Sequence, residues 1–223
     1  MLKSIVISVI VPARNSELYI GRCLRSLLNQ SFDRDKFEII LINDASTDNT
    51  RKALSTFMGD IVYIENKKRR GLPGSLNLGI KRSRGMYIVR VDSDDWVHSD
   101  YLNILFQHLY LNNKLDAVAC DYLELDNNEK VLSQQDCEKK PIGCGIMFKS
   151  IQLVDIGLYD KKFLAREDED LLHRFKKKYT VTRVPIPLYR YRKHGNNMTK
   201  KKKVMKKFLK KINLKHKKNK TNF

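Results

Sequence analysis

The sequence predicts an α/β protein: a mostly parallel sheet flanked by helices. Three observations carry this. Apolar, β-branched runs at 5–11, 37–42 and 86–91 alternate with segments of helical periodicity, as expected of strands covered on both faces. Strand, helix and strand in succession make a βαβ unit. Each run stops abruptly in polar residues: Pro12-Ala13-Arg14-Asn15, Asn43-Asp44-Ala45-Ser46 and Asp92-Ser93-Asp94-Asp95. Ligands of such sheets bind beyond the carboxyl ends of the strands.

Taken in order, the first strand feeds a helix in which Ile20, Cys23, Leu24, Leu27 and Leu28 recur at three- and four-residue steps. After the second strand, a run dense in capping residues, 43–50, leads into a helix at 49–58 and a strand at 61–64. Lys67-Lys68-Arg69-Arg70-Gly71 is a basic loop, followed by a helix at 75–83 and the strand 86–91. A helix at 100–112 places Leu102, Leu105 and Leu109 on one side, and 116–125 reads as a strand. Residues 126–141 read as a hairpin or loop, 146–156 as a helix, and 168–178 as another helix. Pro185 and Pro187 divide 181–191 into two short edge strands.

At 223 residues the chain suits one domain with an extension. We place the domain at 1–198 and a basic tail at 199–223. No apolar run reaches the roughly 18–20 residues that span a bilayer. The opening apolar run is short for a signal peptide and Pro12-Ala13-Arg14-Asn15 is a poor cleavage site, so a cytoplasmic protein is expected. The four cysteines, Cys23, Cys120, Cys137 and Cys144, form no CxxC pair and are expected to be reduced thiols there. The net charge of +19 is uneven: all 25 acidic residues precede residue 171, and 20 of the 44 Lys and Arg follow residue 170. The acid-bearing part is near neutral, which argues against a uniformly basic nucleic-acid binder.

Asp92, Asp94 and Asp95 crowd three carboxylates into four residues. Either a hard divalent cation, Mg²⁺ or Mn²⁺, sits among them with substrate phosphates, or they form an acidic loop before the helix that starts near Ser99-Asp100. Asp44 suits a hydrogen bond from a nucleotide base, and Asp44, Ser46 and Asp48 equally suit helix capping. In Arg166-Glu167-Asp168-Glu169-Asp170 a carboxylate suits a general base; the alternative is charge that favours a helix N-terminus. His194 is a candidate metal ligand, weak when taken alone.

As an ordered set these motifs resemble the inverting glycosyltransferases of family 2, with the GT-A fold, over roughly residues 4–195. The opening strand and Pro-x-x-Asn appear as Ile10-Val11-Pro12-Ala13-Arg14-Asn15. The Asp-Asp-Gly-Ser-x-Asp pattern appears as Asn43-Asp44-Ala45-Ser46-Thr47-Asp48, and Asn-x-Gly-Ile as Asn77-Leu78-Gly79-Ile80. The Asp-x-Asp-Asp motif is Asp92-Ser93-Asp94-Asp95, and Glu-Asp-x-Asp-Leu-x-x-Arg is Glu167 to Arg174. The resemblance implies a metal-dependent transfer of sugar from a nucleotide-diphospho-sugar, a UDP-sugar by preference, to a hydroxyl of a glycan, lipid-linked or cell-surface polysaccharide acceptor. It implies Asp168 as the base, and Asp94 with His194 as ligands of Mn²⁺ or Mg²⁺. Pro12, Ala13, Asn15, Asp44, Asn77, Asp92, Ser93, Asp95 and Glu167 are implied to contact the donor. A sugar-nucleotide nucleotidyltransferase would carry a glycine-rich loop where Pro12-Ala13-Arg14-Asn15 stands. An inactive adaptor would not need the acids at 92–95 and 167–168.

In the tail, Val204, Met205, Phe208, Leu209 and Ile212 share one helical face and Lys206, Lys207, Lys210 and Lys211 another. Such a basic amphipathic helix suits an anionic membrane surface, with about 1 kcal/mol from each lysine near it. On that reading residues 200–218 hold the protein at the inner face of the cell membrane; the alternative is a solvated lysine tail. With little aromatic interleaving, no specific nucleic-acid partner is expected.

Overall fold

The computed structural model describes residues 4–195 and 197–217. Its centre is a nine-stranded sheet. The strands are β1 (Ile7–Ala13), β2 (Phe37–Asn43), β3 (Val62–Glu65), β4 (Tyr87–Arg90), β5 (Trp96–Val97), β6 (Ala117–Leu125), β7 (Val131–Gln135), β8 (Ile146–Lys149) and β9 (Val181–Arg192). They run in the order β3-β2-β1-β4-β8-β6-β9-β5, with β7 paired to β6. β1, β2, β3 and β4 pair in parallel, as do β6 and β9, whereas β8 runs antiparallel to both β4 and β6.

Side chains alternate across the sheet with a period of two. Ile7, Val9 and Val11 face one core with α1 (Ile20–Leu28) and α4 (Tyr101–Leu111). Ile10, Ile40, Ile42 and Ile88 face the other, with α3 (Leu72–Arg82), α5 (Ser150–Asp155) and α6 (Glu167–Phe175). Every residue of β1 and β2 is buried, as the continuous apolar runs require. All four cysteines are free and buried. Among the described residues no helix is long and apolar enough to cross a membrane.

Three elements differ from expectation. Residues 146–156 are not one helix: β8 takes the first four and α5 the next six. Periodicity alone does not separate a short apolar strand from a buried helix, and here β8 bridges the two halves of the sheet. Residues 181–191 form a single strand whose register against β6 shifts at Cys120/Asp121, opposite Pro185 and Pro187; the irregularity accommodates two residues without an N–H. The helix expected at 49–58 is a four-residue α2 (Thr50–Ala53) followed by a 3₁₀ turn. The hairpin expected within 126–141 does form, as β6–β7.

A last helix, α7 (Lys202–Lys217), follows β9. Part of its apolar face turns onto the domain, while Leu209 stays exposed. Ile212 is 1% exposed, and Phe208 lies 6.3 Å from Phe163 between ring centres. Arg166 Nε donates to the Met205 carbonyl at 3.2 Å, and Lys215 Nζ reaches the buried Asp170 at 2.7 Å. The tail through Lys217 therefore docks on α6 and the segment before it. Residues 218–223 of the expected tail lie outside the described residues.

Candidate active site

The parallel pairing of β1 with β2 and β4 brings their carboxyl-terminal loops side by side. Hydrogen bonds lace these loops together. Arg14 Nη1 donates to the Asp44 and Ala45 carbonyls at 2.8 and 2.9 Å, and Asn15 Oδ1 accepts from the Thr47 amide at 2.9 Å. Ser16 and Ser93 share a hydroxyl hydrogen bond of 2.7 Å, tying the first loop to the acidic one. Ala45 adopts φ +54°, a left-handed conformation that disfavours a side chain; the Arg14 bond to its carbonyl helps hold it there.

Above these strand ends is a cleft of about 710 Å³, within the roughly 300–1,000 Å³ range of small-molecule sites. Pro12, Ala13, Asn15, Asp44, Ser93, Asp94 and His194 all line it, together with Arg69, Arg70 and Lys201. A second cavity, by Cys120, Cys137 and Cys144, is only about 30 Å³ and too small for a sugar nucleotide.

Asp44 is 5% exposed and accepts three hydrogen bonds. Asn66 Nδ2 and the Arg70 amide reach Oδ1 at 2.9 and 2.7 Å, and the Gly71 amide reaches Oδ2 at 2.9 Å. Its carboxylate thus fixes the basic loop at the cleft wall, and Oδ2 keeps acceptor capacity toward a ligand. Across the cleft, His194 Nε2 lies 2.8 Å from Asp94 Oδ2 although 100 residues separate them. Tyr19 packs on the imidazole with ring centres 4.9 Å apart.

The end of β9 holds the acidic loop in place. Arg192 Nε donates to the Asp94 carbonyl at 3.0 Å while its guanidinium stacks over Trp96 at 4.4 Å. Tyr189 Oη accepts from the Asp92 amide at 3.1 Å and donates to Asp95 Oδ2 at 2.8 Å.

Three residues expected at the donor make internal hydrogen bonds. Asn77 binds both polar backbone atoms of Tyr159, at 2.8 and 3.0 Å, and so braces α3 against the turn before α6. Asp95 is 2% exposed and also accepts from the Arg192 amide at 2.8 Å. Burial, with Asp94 and Asp92 nearby, pushes its carboxyl well above the ordinary carboxylate range. Glu167 is 5% exposed and bonded to Arg90 Nη1 at 2.9 Å. Asn77, Asp95 and Glu167 thus each make hydrogen bonds within the fold, and none of them lines the cleft.

Asp92 is similarly engaged: Arg90 Nε and Nη2 grip its two oxygens at 2.6 and 3.0 Å. Arg90 is 8% exposed, and its guanidinium joins the acidic loop to α6. Asp168 stands beside this cluster. A Cβ on Gly143 would meet Asp168 Cβ at 2.4 Å and Arg90 Nη1 at 3.1 Å, so only glycine permits that approach. Asp168 does not line the 710 Å³ cleft itself; it stands in the first turn of α6.

Two carboxyls on one guanidinium, with Asp168 close to Glu167, leave an excess of negative charge. Burial and Asp168 push Glu167 up to about 7, against the pull of Arg90. A carboxyl raised on folding binds more protons in the native state between its unfolded and folded pKa values, so its contribution to stability declines as pH rises through that window. Glu167→Gln is therefore expected to gain in stability relative to the parent as pH rises from about 4.5 to about 8. Thermal midpoints of both proteins across that range check this; a difference that does not change with pH contradicts it.

The donor sets differ in what cation they suit. Asp94 and His194 offer a carboxylate oxygen and an imidazole nitrogen at the cleft, a set that fits a divalent ion such as Mn²⁺. Asp92, Asp95 and Cys144 also converge within 4.8 Å. There, however, both carboxylates are already engaged and burial pushes the Cys144 thiol well up, so that cluster does not fit a hard cation.

Arg90, Arg192, Tyr189 and Ser16 were not candidates on sequence grounds. Arg90 had a signal: a lone cation in an otherwise apolar strand, two residues before three acids. The others had none, because their partners are 77 to 98 residues away.

The architecture is that of GT-A glycosyltransferases. TarS residues 1–349 of S. aureus, solved in complex with UDP, matches with a TM-score of 0.74 at 20% identity over 85% of this chain and 61% of that one. Mannosyltransferase PcManGT from Pyrobaculum calidifontis, in complex with GDP-Man and Mn²⁺, matches with a TM-score of 0.69 at 20% identity over 86% and 58%. The model of glycosyl transferase family 2 matches residues 8–219, and the chain belongs to that family. Similar proteins include glycosyltransferase GlyA of Streptococcus pneumoniae, 34% identical over 58% of this chain and 18% of its own length. Another is the poly(ribitol-phosphate) beta-glucosyltransferase of Bacillus spizizenii, 40% identical over 43% and 16%. The chain thus spans under a fifth of each of these two relatives.

Proposed function

We propose that this protein is a metal-dependent inverting glycosyltransferase. It takes a nucleotide-diphospho-sugar, a UDP-sugar by preference, and moves the sugar to a hydroxyl of a glycan, lipid-linked or cell-surface polysaccharide acceptor. The observation that carries this is the Asp94–His194 pair facing a cleft shared with Asp44. The nucleotide lies over the ends of β1 and β2, with Asp44 Oδ2 accepting from the base and Pro12, Ala13 and Asn15 forming the floor. Ser93, held by Ser16, borders the ribose. Arg69 and Arg70 add positive charge on the wall. Asp94 and His194 would hold Mn²⁺ or Mg²⁺, which when bound neutralises the diphosphate and aids its departure.

Asp168 removes the acceptor proton as the hydroxyl attacks the anomeric carbon. One displacement inverts the configuration, so a single base suffices. The close approach of Gly143 to Asp168 and Arg90 supports this assignment by keeping the carboxyl near the guanidinium that grips Asp92. Acceptor binding must bring the reacting hydroxyl between Asp168 and the donor sugar. Asp168→Asn is expected to lower transfer at least about a thousandfold, within the upper range for a general base, while Mn²⁺-dependent UDP binding stays near the parent's. Transfer assays paired with UDP titrations check both; equal transfer by variant and parent refutes the base.

A further inference from the structure

We propose that the exposed lysine face of α7, with Arg69 and Arg70 on the cleft wall, docks a polyanionic acceptor: a polymer carrying phosphate groups along its length. The inference rests on the glycosyltransferase reading and narrows its acceptor class.

The helix starts at the cleft. Met198 and Lys201 line the donor site, and α7 begins at the next residue, Lys202. Its 16 residues extend about 24 Å from the cleft at 1.5 Å per residue. A donor diphosphate occupies only the cleft, so the basic strip continues well beyond it.

One face of the helix carries unpaired charge. Lys202, Lys203, Lys206, Lys207 and Lys210 are all exposed, and no ion pair joins any of them to a described carboxylate. The lysines nearer the domain behave differently: Lys215 pairs with Asp160 and Asp170, and Lys211 Nζ donates to the Lys162 carbonyl at 2.6 Å. Like charges three and four residues apart repel along a helix. A string of phosphates laid on that face relieves the repulsion and releases counterions.

Rival surfaces fit less well. An interfacial helix inserts its apolar face into lipid, but Phe208 and Ile212 are turned onto the domain, which leaves Leu209 and Leu214 as the helix's exposed large apolar side chains. Single-stranded nucleic acid is held by aromatic stacking platforms, and Phe208, the helix's one aromatic other than His216, packs on Phe163. What the surface offers is mostly charge in water, beginning one residue beyond the cleft-lining Lys201. A phosphate-bearing polymer fits it, with its terminal or side hydroxyls fed toward Asp168.

The test uses the full chain and three probes: inorganic polyphosphate, phosphatidylcholine vesicles containing phosphatidylglycerol, and oligo(dT). Polyphosphate is expected to bind with strong salt dependence. Joint replacement of Lys202, Lys203, Lys206, Lys207 and Lys210 by glutamine is expected to weaken it at least tenfold. The slope of log affinity against log salt should fall by roughly 0.7 for each phosphate no longer neutralised. Should that variant not fold, Lys206→Glu with Lys207→Glu serves in its place. UDP binding with Mn²⁺ is measured alongside and is expected to be unchanged, which separates the two readings: a parent that binds no UDP refutes the UDP-sugar donor, whereas intact UDP binding with no polyphosphate binding refutes only the docking surface. Equal polyphosphate affinity in variant and parent, or tighter binding to vesicles or to oligo(dT), also overturns the docking surface.

Discussion

Replacing Arg90 with methionine is expected to lower the stability of the protein by about 3–5 kcal/mol, the range for removing one partner of a buried ion pair. For a chain of this size each kcal/mol corresponds to roughly 2–4 °C, so the thermal midpoint should drop by about 10 °C. The reason is geometric. The guanidinium holds both Asp92 oxygens and Glu167 at once, at 2.6 to 3.0 Å. Methionine fills much of the space and supplies no donor, leaving two acids buried or half-buried without their cation. Arg90→Lys keeps a charge but not the fork that serves three oxygens, and should fall between parent and methionine variant. Adding Glu167→Gln to Arg90→Met removes one orphaned charge and should recover part of the loss, a coupling that a double-mutant cycle reads directly. A methionine variant that melts within about 2 °C of the parent contradicts this role for Arg90 in the acidic cluster.

The second large effect falls on activity. Asp94→Asn is expected to lower transfer at least about a hundredfold, equivalent to about 2.7 kcal/mol of barrier, with little change in melting temperature. Unlike Asp92 and Asp95, Asp94 faces the cleft, and its carboxylate meets His194, itself a cleft residue. The neutral amide is a poor ligand for a hard cation, while the loop around it stays held by Arg192 and Tyr189. His194→Ala should share the defect and also lose some stability, since the imidazole is 7% exposed and packs on Tyr19. Parallel kinetics and melting curves on the two variants check the division between chemistry and scaffold; transfer at the parental rate in Asp94→Asn contradicts it.

Features legible in the sequence are those whose physics is local. Strand runs such as 5–11 and 37–42 show themselves through continuous β-branched residues, and α1 through its three- and four-residue spacing. The acids at 44 and at 92–95 stand out because they follow the strand runs 37–42 and 86–91 directly. What stays hidden depends on long-range placement. Asp92, Asp94 and Asp95 look alike in sequence, yet the fold gives one to Arg90, one to the cleft and one to Tyr189. Backbone direction after residue 91 decides which carboxylate faces out, and no local propensity encodes that. Asn77 carries the family's pattern but serves the Tyr159 backbone. The tail illustrates the same limit: its amphipathic pattern is real, but the pattern does not say whether the apolar face meets lipid or the chain's own α6.

Catalysis as proposed turns on Asp94 and His194 joining a cation to a nucleotide diphosphate in the cleft that Asp44 borders. Calorimetric titration of UDP into the parent, with and without Mn²⁺, and into Asp94→Asn tests this most directly. The prediction is that Mn²⁺ tightens UDP binding to the parent at least tenfold and leaves the variant's affinity nearly unaltered. Identical Mn²⁺ enhancement in both proteins would place the ion away from Asp94 and contradict its role as a metal ligand.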